Sequence, residues 1–311
     1  MAKKIIKLGT YRTLVSQLDK LARHNRQGSF QTKTRYYEAC KRFCAFLADE
    51  FHLQKLTNIS GKHLVSYVLY LQDNDLAAST IKTDLAAIRF FHDKMSDPKY
   101  ELPTNDELGV ELERRRFGSV DRTWSNVEFN KMLGRALGDD RWDYILALYL
   151  GRFAGLRIHE CFRIDTATAE QALRENAITI KGKGGKVRTV PINEQIAIAL
   201  RKQLERTERG HKLLVPDNMP TDRAINHLQF FIMRHRDAMR DVDSDRPMTF
   251  HGLRHSYAVV SLESGDDIKT VQTNLGHATA SFTLDVYGHI SQKMRQQSAD
   301  RMEQFIQKVS G

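Results

Sequence analysis

The chain has 311 residues, of which 41% are hydrophobic and 28% charged, a globular composition that argues against a disordered or fibrous protein. That length is more than one ordinary core holds, so two domains are expected, and no apolar stretch approaches a membrane span. The net charge of +10 is spread along the chain, with 20 basic against 14 acidic residues up to position 120 and 28 against 24 after it. An excess of this kind in both halves favours a polyanionic partner held by both.

The N-terminus is basic but has only Ile5 and Ile6 as large apolar residues before Lys7, which is no secretory signal, and a cytoplasmic location is expected. Cys40, Cys44 and Cys161 make neither a disulfide framework nor a metal set and fit a reducing compartment. Residues 10 to 96 read as four helices, because apolar residues recur at three- and four-residue steps, most clearly in Ile81, Leu85, Ile88 and Phe91. Cys40 and Cys44 share such a stripe with Tyr36, Phe43, Leu47 and Phe51 and are expected in a core. Lys33, Arg35, Lys41, Arg42, Lys82 and Arg89 lie on the polar sides, as a solvated face or as phosphate contacts.

From Asp97 to Arg122 the pattern is broken by Pro98, Pro103, Asn105 and Gly109 and followed by the basic triplet Arg114 to Arg116. The expected organisation is therefore a helical domain over 1–100, a linker over 101–122 and a second domain over 123–311. In the second domain Ser125 or Asn126 is placed to cap a helix, and an apolar segment from Trp142 to Leu156 leads into Arg157. Ala177-Ile-Thr-Ile180 and Val187-Arg-Thr-Val190 flank the glycine-rich Lys181-Gly-Lys-Gly-Gly-Lys186, as a β-hairpin requires. The remainder again reads as helix, giving a mainly α chain with a small β-sheet.

The chemistry concentrates near the C-terminus. Tyr287 stands ten residues after His277, which itself follows His251-Gly-Leu-Arg254. A phenol beside two histidines and an arginine is the set a covalent attack on a phosphodiester needs: a nucleophile, proton carriers and a fixed positive charge. Neither a metal-ligand pattern nor a nucleotide-binding P-loop occurs, since the Gly-Lys run of 182–186 sits between strands and not before a helix. No cofactor is expected.

Four motifs in order resemble the tyrosine recombinase (phage integrase) family: Ala154-Gly-Leu-Arg157-Ile-His-Glu160, the hairpin Lys181 to Lys186, His251-Gly-Leu-Arg254-His-Ser-Tyr-Ala258, and Leu275-Gly-His277 with Tyr287. The resemblance implies an N-terminal four-helix, SAM-like core-binding domain and a C-terminal α+β catalytic domain. It implies that Arg157 and Arg254 grip the scissile phosphate and that Glu160 braces the site. Lys183 would donate a proton to the departing 5′ oxygen, with Lys181 and Lys186 as competitors for that role. His251 would manage the tyrosine proton, His277 would hydrogen-bond the phosphate, and Tyr287 would form a 3′-phosphotyrosine.

Tyr257 reads as a core residue, and His159, His255 and His289 as local hydrogen-bonding groups. Because the first helical stripe begins near residue 10, the resemblance is to the two-domain members without an arm-binding domain. By the same resemblance, double-stranded DNA is held in a C-shaped clamp, a homotetramer joins two sites through a Holliday junction, and accessory proteins set direction. The segment 291–311, with Met294, Met302, Phe305 and Ile306, would dock on a neighbouring protomer or pack on its own domain. Two alternatives stand beside recombination: relaxation of supercoils by a type IB topoisomerase-like enzyme, and a catalytically silent DNA-binding protein of the same fold.

Overall fold

The structure, a computed structural model, describes residues 7–23, 30–109, 121–182, 185–241, 246–276, 302–303 and 306–307. The chain divides into two compact units, 1–116 and 117–311. The basic triplet Arg114 to Arg116 of the expected linker lies outside the described residues.

The first unit is built from α1 (Leu8–Arg23), α2 (Phe30–Phe51), a 3-10 turn (Leu56–Asn58), α3 (Gly61–Asp73) and α4 (Ala78–His92). The three- and four-residue apolar spacing turns one face of each helix inward, and Leu14, Phe43, Leu47, Leu64, Tyr67 and Leu85 are buried together with Cys40 and Cys44. Each large side chain fully removed from water contributes about 1.5–3 kcal/mol. Asp84 sits inside this core because it is paired: Arg42 Nη2 donates to its Oδ1 at 2.7 Å and the Tyr67 hydroxyl to its Oδ2 at 3.1 Å. Arg89 donates to the Pro103 carbonyl and to Asn105 Oδ1, both at 2.8 Å, and Leu108 is buried in the same core. Arg42 and Arg89 thus spend part of their hydrogen-bonding capacity on structure, and the chain as far as Leu108 packs on this unit.

The second unit contains α5 (Asn126–Gly138), α6 (Trp142–Phe153), the single turn α7 (Ile158–Cys161), α8 (Thr166–Glu175), β1 (Ala177–Lys181), β2 (Val187–Pro191), α9 (Glu194–Leu204), α10 (Thr221–Met239), α11 (Phe250–Ser264) and α12 (Ile268–Leu275). Ser125 caps α5, its Oγ accepting from the Glu128 N–H at 3.1 Å while Glu128 Oε2 takes the Ser125 N–H at 2.7 Å. The strands pair antiparallel with Ala177 opposite Pro191 and Lys181 opposite Val187, which leaves the Lys-Gly run as the connecting loop. The apolar α6 is the centre of the core, with Leu146, Leu148 and Leu150 fully buried and α5, α9 and α11 around it. Chain and fold are mainly α with a small β-sheet, as the sequence implies.

Candidate active site

Arg157, at the start of α7, converges with His251 and Arg254, one turn apart on α11. Gly155 ends α6 in the left-handed region (φ +61°), and a Cβ there would fall 2.6 Å from the Tyr257 ring, so both backbone shape and space require glycine. The turn delivers Arg157 to the start of α7, where its Nη1 donates to Glu160 Oε1 at 3.0 Å and its backbone N–H to Oε2 at 2.8 Å. The Arg157 N–H is therefore already bonded. The Arg157 side chain is still 31% exposed, open enough to take a second anion.

Arg254 is 3% exposed on α11, and its two terminal nitrogens donate to the carbonyls of Gly155 and Leu275. Those bonds tie α11 to the turn before Arg157 and to the end of α12, one residue before Gly276. One turn earlier on α11, His251 is exposed and lines a cleft of about 450 Å3 that Arg157 also lines. A close approach at Gly252 makes this possible. A Cβ there would come within 2.3 Å of the Arg122 carbonyl and 2.8 Å of the Trp124 indole nitrogen. Trp124 is itself fixed by Nε1 donating to the Thr249 carbonyl at 3.0 Å and by its N–H donating to Ser256 Oγ at 2.7 Å.

The imidazoles of His251 and His255 meet edge to face, 4.8 Å between centroids. The protein packed around His251 pushes its pKa down to about 4, and the charges of His255, Arg254, Arg122 and Arg157 add to the fall. Burial also lowers His255 to about 4, followed by Arg122 and Arg254. Because His251 keeps an open face, water offsets part of this burial. Both rings are neutral at pH 7, so His251 is able to accept a proton. With folded pKa values below the ordinary 6.5, the stability linked to these rings is complete above about pH 6.5 and is lost as pH falls towards 4. In the DNA-free protein the imidazole Cε1–H resonances of both are expected to titrate below pH 5 by NMR; midpoints near 6.5 would refute the cationic environment described here.

Glu160 is 3% exposed. Burial by itself raises its pKa, but hydrogen bonds from Arg188 and the Arg157 N–H, with the charges of both guanidiniums, outweigh this and hold it at about 2. The Tyr257 hydroxyl accepts from Asn274 Nδ2 at 2.9 Å and its ring packs beside Ala258, Leu262, Val271 and Leu275, a structural position. Lys181 and Lys186 are exposed at the strand ends. Lys183, His277, Tyr287 and His289 lie outside the described residues.

Two residues near the site are missed by motif reading. Arg188 holds Glu160 and lies on the same strand face as buried Val190, so an arginine at an inward position of the two-residue alternation was the available signal. Arg122, which acts on both histidines through its charge, had no signal beyond its place near a domain boundary. Among the described residues, Glu208, His211 and Asp217 offer donor atoms within 4.8 Å of one another; all three are exposed, and His211 Nδ1 meets Asp217 Oδ1 at 2.6 Å as a surface pair.

Residues 128–294 match the phage integrase family and residues 15–96 the phage integrase N-terminal SAM-like domain. The chain belongs to the phage integrase family, the tyrosine recombinases, enzymes of DNA cleavage and strand transfer in site-specific recombination. It is similar to tyrosine recombinase XerC of Chlamydia caviae, 30% identical over 75% of this chain and 74% of that one. It is also similar to tyrosine recombinase XerD of Halalkalibacterium halodurans, 25% identical over 82% of this chain and 86% of that one. Among solved structures, the Tn1549 transposon integrase in complex with a circular intermediate DNA shares the fold at a TM-score of 0.68 and 15% identity, covering 93% of this chain and 99% of that one. XerH site-specific recombinase bound to palindromic difH substrate does so at 0.62 and 18%, covering 96% and 90%. Among the described residues no helix is long and apolar enough to cross a membrane.

Proposed function

We propose that this recombinase binds duplex DNA at two sites as a homotetramer, cleaves through a 3′-phosphotyrosine on Tyr287, and exchanges strands through a Holliday junction without metal or nucleotide. One observation carries the reading: Arg157 and His251, from motifs about 100 residues apart, line one cleft, and Arg254, one turn after His251, bonds the Gly155 carbonyl in the turn before Arg157. Two guanidiniums supply positive charge and a planar hydrogen-bonding fork for the non-bridging oxygens. Neutral His251 takes the phenol proton, His277 adds a hydrogen bond to the phosphate, and Lys183 protonates the leaving 5′ oxygen. The phosphotyrosine conserves the bond energy, so the freed 5′-hydroxyl of another strand can reverse the step and rejoin. Glu160 braces Arg157.

Residues 1–100 form the core-binding domain, 101–122 the linker and 123–311 the catalytic domain with its C-terminal oligomerisation segment. Met302 and Ile306, one helical turn apart and 67% and 56% exposed, are the described part of the apolar stripe offered to a neighbouring protomer. The enzyme works in the cytoplasm, with accessory proteins setting direction.

The test is a nicked duplex carrying the site, taken from DNA flanking the coding region. A covalent protein–DNA adduct that survives denaturant and forms in EDTA is expected, and so are products joining two different sites. Relaxation of supercoils with no joined products would move the enzyme to the topoisomerase class, and dependence on a divalent ion would refute the chemistry.

A further inference from the structure

Arg188 has no part in the reaction just described, yet its guanidinium makes three hydrogen bonds beside the site. Its side chain is only 9% exposed. Nη1 and Nη2 donate to Glu160 Oε1 and Oε2 at 2.9 and 2.7 Å, and Nε donates to the Asn274 carbonyl at 2.8 Å. The three bonds join β2 to the turn that carries Arg157 and to the end of α12. Two glycines lie against the same group: a Cβ on Gly182 would be 3.4 Å from Nη1, and a Cβ on Gly276 would be 3.2 Å from it. Gly182 immediately precedes Lys183 and Gly276 immediately precedes His277. One cation therefore leaves little room for a side chain at the glycines that precede two site residues and bonds the carboxylate that holds a third.

Stability alone does not call for this arrangement. A buried ion pair carries a desolvation cost, and an apolar pair of similar volume commonly stabilises a core as well or better. The pair does supply direction. A planar fork that fills both carboxylate oxygens and a carbonyl fixes three segments at once, which a lysine ammonium on a flexible stem cannot do.

We propose that Arg188 is a positioning residue for strand cleavage: its fork on Glu160 and its bond to Asn274 set the backbone before Lys183 and before His277 in register with Arg157. The proposal rests on the assignment of Lys183, His277 and Tyr287 given above. Misplacing a reacting group by about 1 Å costs on the order of 100-fold in rate, so the hairpin lysine and the phosphate contacts need such a reference point.

Two full-length variants test it, Arg188→Lys and the double variant Arg188→Met/Glu160→Met, which replaces the pair by apolar side chains. Each is assayed for adduct formation on the nicked duplex and on the same duplex with sulfur as the bridging 5′ atom, whose thiolate leaves without a donated proton. Both variants are expected to fold and to bind DNA within about threefold of the parent, since phosphate contacts elsewhere dominate affinity. On the oxygen duplex both should cleave about 100-fold more slowly. The sulfur duplex is expected to recover at least about tenfold of that loss, because it bypasses the displaced lysine. A merely structural role would lower activity only in proportion to the folded fraction and leave the sulfur-to-oxygen ratio at the parent value. That unchanged ratio, or a folded Arg188→Lys protein cleaving oxygen at the parent rate, would overturn the proposal. Failure of the underlying assignment is a different result, in which the parent itself forms no adduct or keeps it after Tyr287→Phe.

Discussion

Tyr287→Phe is expected to abolish the covalent adduct completely while leaving duplex binding within about twofold, because in the proposed mechanism the phenol oxygen is the nucleophile but only one atom among many contacts. The second unit contains four tyrosines, and the other three are employed elsewhere. Tyr144 is 5% exposed beneath the Arg141 guanidinium, 3.5 Å from its ring centroid. Tyr149 packs against the main core and stacks obliquely on Phe153, 5.7 Å between centroids. Tyr257 is held by Asn274 and lies under the Gly155 turn. Tyr257→Phe is accordingly the control: the adduct persists, and the loss of one hydrogen bond costs about 1 kcal/mol. Radiolabelled nicked duplex run on a denaturing gel reads both variants. An adduct retained by Tyr287→Phe and lost in Tyr257→Phe would exchange the two roles.

The sequence discloses those parts of this molecule that are written locally. The helices of the first unit follow from apolar spacing, the hairpin from β-branched flanks around a glycine-rich run, and the cap of α5 from Ser125 with Glu128 three residues on. The motif residues Arg157, His251 and Arg254 were recognisable because each sits in a short pattern of fixed spacing. Pairings across long separations were not. Arg89 reads as a surface cation, yet it fastens the chain at Pro103 and Asn105 because carbonyl and amide acceptors arrive there only after folding. Arg42 reads the same way and partners Asp84, 42 residues distant. Arg188 stands in a strand with no motif of its own and meets Glu160 from 28 residues away. The lowering of His251 and His255 arises from burial and from Arg122, Arg157 and Arg254 gathered in space, a sum that no linear spacing encodes.

The two arginines proposed to grip the phosphate are expected to fail in different ways when removed. Arg157→Ala and Arg254→Ala should each eliminate the adduct, since each deletes a fixed charge from the developing transition state. Binding should remain within about tenfold because each is one of many phosphate contacts. Their stabilities should separate. Arg157 is 31% exposed, and Glu160 keeps both bonds from Arg188 when it is gone, so the cost should stay near the 1 kcal/mol typical of a partly exposed pair. Arg254 is 3% exposed and satisfies the Gly155 and Leu275 carbonyls; its removal orphans both acceptors and should cost about 3 kcal/mol. Arg254→Lys restores the charge without the fork that spans the two carbonyls, so it should recover part of the stability and little of the cleavage. Denaturant unfolding of the transition belonging to the second unit, paired with the nicked-duplex assay, makes the comparison. Equal destabilisation by the two alanine variants would contradict the burial of Arg254, and an Arg157→Ala protein forming adduct at more than about a tenth of the parent rate would remove Arg157 from the phosphate, because loss of one preorganised donor to a transition state costs at least about 100-fold.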